Sequence, residues 1–258
     1  MNSYLEKAEQ SGLLDVIKEW IKTEKYVSVS MIQRSFSVGF NTSTAIFNYL
    51  VEEGLIEKNP THNKGHKVVS FEATQLTIYL LDVNPANIKE LRKAFQNYKE
   101  VIVVEDNFDH FMKIFNDVEC IVSPANSFGS MSGGYDRAIR DYFGLEVEYA
   151  VKRYINTNLF GEQRTGTAFI IDVPNTNKKL IHCPTMRWPQ PLKDKTVIYH
   201  CMRTTLIEAI KNNIHSIVIP SFGGATGKVE PHIIAKYMKE GYEQIMNHIG
   251  EKYGKQKL

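Results

Sequence analysis

The sequence predicts an α/β domain with a mostly parallel sheet, preceded by a small domain of helices and a β-hairpin. Two patterns predict this fold class. Before residue 72, apolar residues at helical spacing precede two short β-like runs. Beyond residue 76, β-like runs alternate with helical ones, as in βαβ units. Because a length of 258 residues suits two small domains, we place the first at residues 1–72 and the second at residues 76–250.

The first domain begins with apolar residues at helical spacing over residues 3–24, a stretch that Gly12 could interrupt. A short β-like run follows at Val27–Val29. Since serine is a favoured N-cap, Ser30 is expected to begin a helix that runs through Phe36.

A third helix is predicted over residues 42–53. Asn41 is a favoured N-cap for this helix, and Gly54 suits the position that follows a helix end. The expected hairpin consists of strands at Leu55-Ile56 and over residues 67–71, around a polar loop over residues 59–65. Three helices followed by a hairpin is the order of elements in a winged-helix domain.

The second domain is predicted from alternating patterns along the chain. Strands are expected at residues 76–81, 101–104, 120–123, 167–172, 179–183 and 216–220, and helices at residues 86–95, 108–116, 136–143, 196–211 and 231–249. This alternation predicts a sheet that is mostly parallel.

Composition indicates the compartment and excludes some classes of protein. The three cysteines are few and odd in number, which favours a reducing, cytoplasmic setting. The apolar runs are shorter than the roughly 18 residues of a membrane span, so we expect no membrane partner. The pairs His182-Cys183 and His200-Cys201 do not predict a metal site, since neighbours on a strand point to opposite faces. We expect no bound cofactor.

Three loops carry residues suited to ligand binding. The first runs from Ser123 to Asp136 and contains Gly133-Gly134, whose backbone N–H groups can approach a ligand closely. The second, over residues 220–228, joins an apolar strand to a helix through small residues and could cradle a diphosphate. The third ends a strand with Asp106, at the edge where open α/β sheets bind ligands.

These loops resemble those of the macro-domain family. Val122-Ser123-Pro124-Ala125-Asn126 corresponds to its V-N-A-A-N strand end, Gly133-Gly134-Tyr135-Asp136 to its G-G-V-D loop, and Val103-Val104-Glu105-Asp106 to its strand ending in G-D-I. Residues 184–189 are similar to a bacterial and phage-associated subgroup. The resemblance implies a three-layer αβα sandwich with a mixed, mostly parallel sheet and a pocket for ADP-ribose or a related nucleotide.

The resemblance also implies roles for single residues. Asp106 would accept a hydrogen bond from the adenine amino group, and Asn126 would bond the distal ribose, against which Phe222 would pack. Asp136 stands where hydrolytic members place an aspartate linked to water activation, so Asp136 and Asn126 are the candidate catalytic residues. The diphosphate would be held by Gly133, Gly134, Ser221, Phe222, Gly223, Gly224, Ala225, Thr226 and Gly227.

Plainer roles remain open for four of these side chains. Asp106 could cap the next helix, Asn126 could stabilise a turn and Asp136 could cap its own helix. Phe222 could be an ordinary core residue. Three departures from the family pattern weigh against turnover more than against binding: Ser123, the loop F-G-G-A-T-G, and Arg140 where many hydrolytic members have histidine. Binding is therefore our leading expectation, and removal of ADP-ribose from a modified protein or nucleic acid is the alternative.

The first domain resembles the winged-helix gamma domain of FtsK-type DNA translocases over residues 27–41. In that family the third helix lies in the DNA major groove and uses an arginine just after the asparagine. This chain has Thr42 at that position, and residues 42–50 contain no lysine or arginine. Residues 1–70 hold eight basic and eight acidic residues. Because phosphate contacts dominate non-specific DNA affinity, both DNA and protein remain candidate partners of residues 1–72.

Overall fold

The computed structural model describes residues 3–21, 24, 26–57, 65–67 and 76–253. The chain divides into two compact units, Met1–Ala73 and Thr74–Leu258. Within the described residues, no helix combines the length and the apolar character that crossing a bilayer requires.

The described residues of the first unit form four helices and one small antiparallel sheet. The helices are α1 (Ser3–Gln10), α2 (Leu13–Ile21), α3 (Val29–Phe36) and α4 (Phe40–Glu52), and the strands are β1 (Tyr26–Val27) and β2 (His66–Lys67). Gly12 has a φ of +73° and separates α1 from α2, so the expected interruption is confirmed. Gly54 follows the end of α4 with a φ of +71°, as predicted for a residue beyond a helix end.

Both predicted N-caps in this unit are wrong. Ser28 caps α3, because its hydroxyl accepts a hydrogen bond from the backbone N–H of Met31 at 3.3 Å, and Ser30 lies inside the helix. Gly39 is the N-cap of α4, so Asn41 falls in the first turn, where its side chain donates to the hydroxyl of Tyr4. An N-cap needs extended backbone, and in each case the chain becomes helical two residues before the predicted start.

The expected hairpin is described only in part. Strand β2 pairs with β1, with Tyr26 opposite Lys67 and Val27 opposite His66. Residue 56 makes a single β-bridge rather than a strand. The rest of the predicted loop and strand, residues 59–64 and 68–71, lies outside the described residues.

The second unit alternates strands and helices as predicted, with one helix more. Its strands are β3 (Thr77–Asp82), β4 (Val101–Glu105), β5 (Cys120–Ser123), β6 (Phe169–Asp172), β7 (Lys179–His182) and β8 (Ser216–Pro220). Its helices are α5 (Pro85–Phe95), α6 (Phe108–Ile114), α7 (Gly134–Phe143), α8 (Leu145–Asn158), α9 (Val197–Lys211) and α10 (Pro231–Tyr253). Helix α8 was not predicted, although Val147, Val151 and Ile155 repeat every four residues and bury one face of it.

The six strands form one sheet in the order β4-β3-β8-β5-β7-β6. Neighbouring strands are parallel except for β6 and β7, so the predicted mixed, mostly parallel sheet is confirmed. Helices α5, α9 and α10 pack together as one layer, and α6, α7 and α8 pack in sequence as another. The unit is an αβα sandwich whose central strand, β8, is buried at Ile217, Val218 and Ile219.

The outer layer formed by α9 and α10 depends on a close approach at Gly241. A methyl group on Gly241 would lie 2.7 Å from the carbonyl oxygen of Tyr199 and 3.0 Å from Cβ of Met202. Overpacking usually costs about 1–3 kcal/mol, and a clash with a backbone oxygen belongs to the upper part of that range. Because alanine gains about 1 kcal/mol in helix propensity, we expect Gly241→Ala to lower the free energy of unfolding by a net value of about 1–2 kcal/mol.

Urea unfolding measures this change, with Glu240→Ala as the control at the adjacent exposed position of α10. If Gly241→Ala were as stable as the wild type, the two helices would be shown to separate without cost.

Candidate functional site

The candidate site is a cavity of about 690 Å³ at the carboxyl ends of the parallel strands. Loops that follow β3, β4, β5 and β8 surround it, although they are far apart in the sequence. The structure brings the following sequence-predicted residues together on its walls: Asp106, Asn126, Gly133, Gly134, Asp136, Ser221, Gly223, Gly224, Ala225, Thr226 and Gly227.

Phe222 is placed differently from the expectation. Its side chain is fully buried, whereas the flanking residues Ser221 and Gly223 line the cavity. The ring therefore belongs to the core behind the loop, and its expected contact with a ribose is not supported. Its placement fits the plainer role that the sequence left open.

The two glycines of the first loop open onto the cavity at the start of α7. Gly133 is the N-cap, with extended backbone and no side-chain capping hydrogen bond, and a Cβ added there would meet no atom within 4 Å. Gly134 has a φ of +56°, which favours glycine. Because α7 begins at Gly134, its first N–H groups lie at the cavity wall, where they can receive an anion.

Asp136 is a buried carboxyl in the first turn of α7, so it is not the N-cap of that helix. The hydroxyl of Ser123 donates to its Oδ1 at 2.6 Å, and the backbone N–H of Ala125 also donates to the carboxyl group. Burial raises the pKa of Asp136 from 3.8 to about 7, against the effect of these hydrogen bonds. Asp136 can therefore exchange a proton near neutral pH.

The amide of Asn126 holds the turn over residues 126–130. Its Oδ1 accepts hydrogen bonds from the N–H groups of Phe128 at 3.1 Å and Ser130 at 3.3 Å, and its Nδ2 donates to the carbonyl of Ser130 at 2.9 Å. The turn role that the sequence left open is therefore present. Since the NH₂ group has two protons, one remains for a ligand in the cavity.

Asp106 lies where β4 ends, with its carboxylate held by two neighbours. Its Oδ2 accepts from Nδ1 of His110 at 2.5 Å, and its Oδ1 accepts from the N–H of Asn107 at 2.8 Å. The bond from His110 holds the pKa of Asp106 below its usual range, so the group is an ionised acceptor. The cap of α6 is Asn107, whose Oδ1 accepts from the N–H of His110, and not Asp106.

Sequence reasoning missed several polar groups on the cavity wall. Asp82 ends β3 and accepts from Nδ2 of Asn87 and the N–H of Asn84, both at 2.8 Å. The rule that identified Asp106, a carboxylate at a strand end, would also have identified Asp82. The hydroxyl of Tyr135, another lining residue that was not predicted, is buried and has no hydrogen-bond partner within the described structure.

The charge of the cavity wall is negative. Asp82, Asp106 and Asp136 line it, and the described lining residues include no lysine or arginine. An anionic ligand must therefore be held by backbone N–H groups and by the start of α7. Within the described residues, no cluster of histidine, cysteine and carboxylate side chains could hold a metal ion.

His182, one of the residues weighed as a metal ligand, lies in the core. Its Nδ1 donates to Oε1 of Gln163 at 2.5 Å, and burial lowers the pKa of His182 to about 3. The ring is neutral at physiological pH.

Comparison with known proteins gives two family matches. The macro domain matches residues 122–238, and the Ftsk gamma domain matches residues 8–69. A protein of Aquifex aeolicus, described as uncharacterized, is 30% identical over 126 residues, which cover 48% of this chain and 72% of that protein.

The solved structures that are similar to this chain include bacterial macrodomains. The Oceanobacillus iheyensis macrodomain with ADP has 23% identity and a TM-score of 0.45, covering 51% of this chain and 70% of its own. The macrodomain of Mycobacterium tuberculosis DarG has 22% identity and a TM-score of 0.43, covering 50% and 84%.

The matched segments coincide with the structure. The macro-domain match runs from the end of β5 into α10 and includes the two glycine-containing loops of the cavity, and the Ftsk gamma match includes α2, α3 and α4. The chain therefore contains a macro domain, matched over residues 122–238, and ahead of it a domain matched by the Ftsk gamma family over residues 8–69.

Proposed function

We propose that the second unit binds ADP-ribose, or a nucleotide derived from it, in the cavity at the strand ends. The observation that supports this most is the meeting of both glycine-containing loops, over residues 123–136 and 220–228, around one cavity at the strand ends. A volume of about 690 Å³ is typical of pockets for small organic ligands.

The charge distribution supports a defined orientation of this ligand. The ionised carboxylate of Asp106 suits the adenine amino group, a neutral hydrogen-bond donor. The diphosphate suits the start of α7, where Gly133 leaves the first backbone N–H groups without a side-chain cap. The distal ribose would then lie near Asn126 and Asp136, on the same loop.

Hydrolysis is the second candidate function, and Asp136 favours it. A carboxyl with a pKa of about 7 can accept a proton from water at neutral pH and return it. The Ser123 hydroxyl, at 2.6 Å, fixes the orientation of this carboxyl. In such a reaction Asp136 would orient and deprotonate the water that attacks the distal ribose, while the loops hold the diphosphate.

The first unit is proposed as a docking module. Its helix α4 exposes Phe40 and Asn41 and contains no lysine or arginine. Since lysine and arginine supply most of the electrostatic affinity for DNA phosphates, this helix suits neutral contacts, with either a protein surface or DNA bases, more than strong attraction to the DNA backbone.

The binding proposal predicts that Gly133→Val abolishes ADP-ribose binding. The backbone of Gly133 is extended, which suits valine, and the added side chain would project into open space beside the start of α7. We expect wild type to bind in the micromolar range and Gly133→Val to bind at least tenfold more weakly, with unchanged thermal stability. Calorimetric titration measures the affinity.

Gly39→Val is the matched control. Gly39 is also an N-cap without a side-chain cap and with no atom near its Cβ position, but it begins α4 in the other unit. Absence of heat from wild type at millimolar ADP-ribose would remove the binding proposal. If Gly133→Val bound ADP-ribose as tightly as the wild type, the ligand would not bind at the start of α7.

Asp136 also predicts a dependence of stability on pH. Because burial raises its folded-state pKa to about 7 from an ordinary value of 3.8, its stabilising contribution is complete below pH 3.8 and is lost as pH rises through 7. At about 1.4 kcal/mol per pKa unit, the wild type should lose on the order of 4 kcal/mol relative to Asp136→Asn between pH 4 and 8.

Urea unfolding of both proteins across this range measures the difference. Asparagine keeps an acceptor for Ser123 but cannot ionise, so its own cost should be a constant offset. A difference that did not vary with pH would mean that Asp136 is ionised throughout.

The hydrolysis proposal predicts that Asp136→Ala lowers turnover of ADP-ribosylated substrates by about 10²- to 10⁴-fold. The affinity for ADP-ribose should change far less, because the carboxyl acts mainly in the transition state. The control is Asp141→Ala, another aspartate of α7, whose exposed side chain pairs with Arg137 and is not part of the cavity wall. Turnover that survives Asp136→Ala unchanged would exclude Asp136 as the catalytic group.

A further inference from the structure

Asp82 is a carboxylate on the cavity wall to which the proposed function assigns no role. It is half-buried, ends β3 and lines the cavity. Its Oδ1 accepts from the N–H of Asn84 and its Oδ2 accepts from Nδ2 of Asn87, both at 2.8 Å. Because a carboxylate offers about four acceptor sites, about two remain for a ligand in the cavity.

The strand order places Asp82 between the proposed sites for the adenine and the diphosphate. In the sheet, β3 lies between β4 and β8. The residue after β4 is Asp106, where the adenine is proposed to bind, and β8 leads into one of the two loops proposed to hold the diphosphate. Neighbouring strands are about 4.8 Å apart, so the ends of β4 and β8 are separated by about 10 Å. Since the adenosine ribose joins the adenine to the diphosphate, it must pass the end of β3.

Direct contacts connect Asp82 to both neighbouring loops. The backbone N–H of Asp106 donates to the backbone carbonyl of Asp82 at 3.1 Å. On the other side, a Cβ on Gly224 would lie 2.7 Å from Nδ2 of Asn87, the same nitrogen that donates to Asp82. Asn87 is buried and also lines the cavity. Asp82 therefore lies on the path from Asp106 to Gly224.

We propose that Asp82 selects the adenosine ribose of the ligand by accepting a hydrogen bond from its 2′-hydroxyl, with Asn87 as a positioning residue. The proposal rests on the proposed function, because that function places the adenine at Asp106. In other α/β sheets that bind dinucleotides, a carboxylate accepts from a ribose 2′-hydroxyl, whereas arginine accommodates a 2′-phosphate. The described lining residues of this cavity include no lysine or arginine. The cavity therefore suits a nucleotide derived from NAD and excludes one derived from NADP.

Asp82 also shapes the turn between β3 and α5. Its bonds from Asn84 and Asn87 serve that role, since Asn84 is the N-cap of α5. Loss of a group that only shaped the turn would weaken the binding of every nucleotide alike. Loss of a ribose acceptor would instead change the preference among nucleotides that differ only at the 2′ position. The ratio of their affinities therefore separates the two roles.

The test compares three ligands on the full chain. They are ADP-ribose, ADP-ribose with a phosphate on the 2′-oxygen of the adenosine ribose, and ADP-ribose with 2′-deoxyadenosine in place of adenosine. The wild type should bind each altered ligand about tenfold to a hundredfold more weakly than ADP-ribose, because each lacks the hydrogen bond to a charged acceptor. Calorimetric titration at one salt concentration measures the three affinities.

Two variants test the role of Asp82. Asp82→Ala removes the acceptor and should bring both ratios close to one. Asp82→Asn keeps the shape of the side chain, so it remains informative if the alanine variant does not fold. It should reduce the discrimination against the 2′-phosphate in particular, because the repulsion between two negative groups is removed.

Asp172→Asn is the matched control. Asp172 is also the last residue of a strand, β6, but it pairs with Lys179 and is not among the described lining residues of the cavity. The substitution removes the same charge from the unit and should leave both ratios unchanged.

Equal binding of all three ligands by the wild type would overturn the proposal and leave the proposed function standing. Ratios that survive both Asp82→Ala and Asp82→Asn would overturn it as well, since another group would then discriminate at the 2′ position. Failure of the proposed function is recognised separately, because the wild type would then not bind ADP-ribose itself.

Discussion

The site depends on the position of β8 between β3 and β5. Both neighbours run parallel to β8, with Ile78 opposite Ile217 on one side and Ile121 opposite Val218 on the other. Because parallel strands end at the same edge of a sheet, this pairing brings three loops together that are separated by up to about half the chain. The cavity is a consequence of strand order, which apolar burial of β8 on both faces enforces.

The same strand ends create an electrostatic constraint. Three aspartates face the cavity, so an anionic group cannot be placed there without compensating donors. Burial reduces this repulsion at Asp136, since it raises the pKa of the carboxyl to about 7, and a protonated carboxyl carries no charge. The start of α7 offsets another part of it, because its uncapped N–H groups carry partial positive charge. The proposed ligand binding and the proton exchange of Asp136 would therefore both involve the start of α7.

Periodicity and loop chemistry in the sequence predicted most of the second unit. The location of the candidate site was predicted from the strand ends, because ligands bind at the carboxyl edge of an α/β sheet, where a polar residue follows a buried apolar run. The failures are local. The N-cap predicted at Ser30 was wrong because Ser28, another serine two residues earlier, caps α3. The N-cap predicted at Asn41 was wrong because Gly39 takes that position in α4. Residue propensity alone does not choose between such neighbouring candidates. Phe222 is buried behind its loop, the core role that the sequence had left open beside the ribose contact.

Other features needed coordinates in principle. The stack of Phe128 on Trp188 joins residues 60 positions apart, and nothing in either local sequence indicates that the two rings meet. The hydroxyl of Tyr135 likewise has no hydrogen-bond partner because of the residues that surround it, and its position in a motif does not indicate this. Such properties arise from tertiary packing.

Two glycines of the second loop, Gly223 and Gly227, are required by the packing of the loop itself. A Cβ on Gly227 would lie 2.7 Å from the carbonyl oxygen of Gly223, and that same oxygen accepts the N–H of Val229 at 3.1 Å. Gly223 itself has a φ of +79°. The loop therefore requires both glycines for its own backbone packing, whatever it binds. The departure of this loop from the usual family pattern is thus compatible with a closed, well-packed turn. A Cβ on Gly133, by contrast, would meet no atom within 4 Å, so packing does not require glycine there.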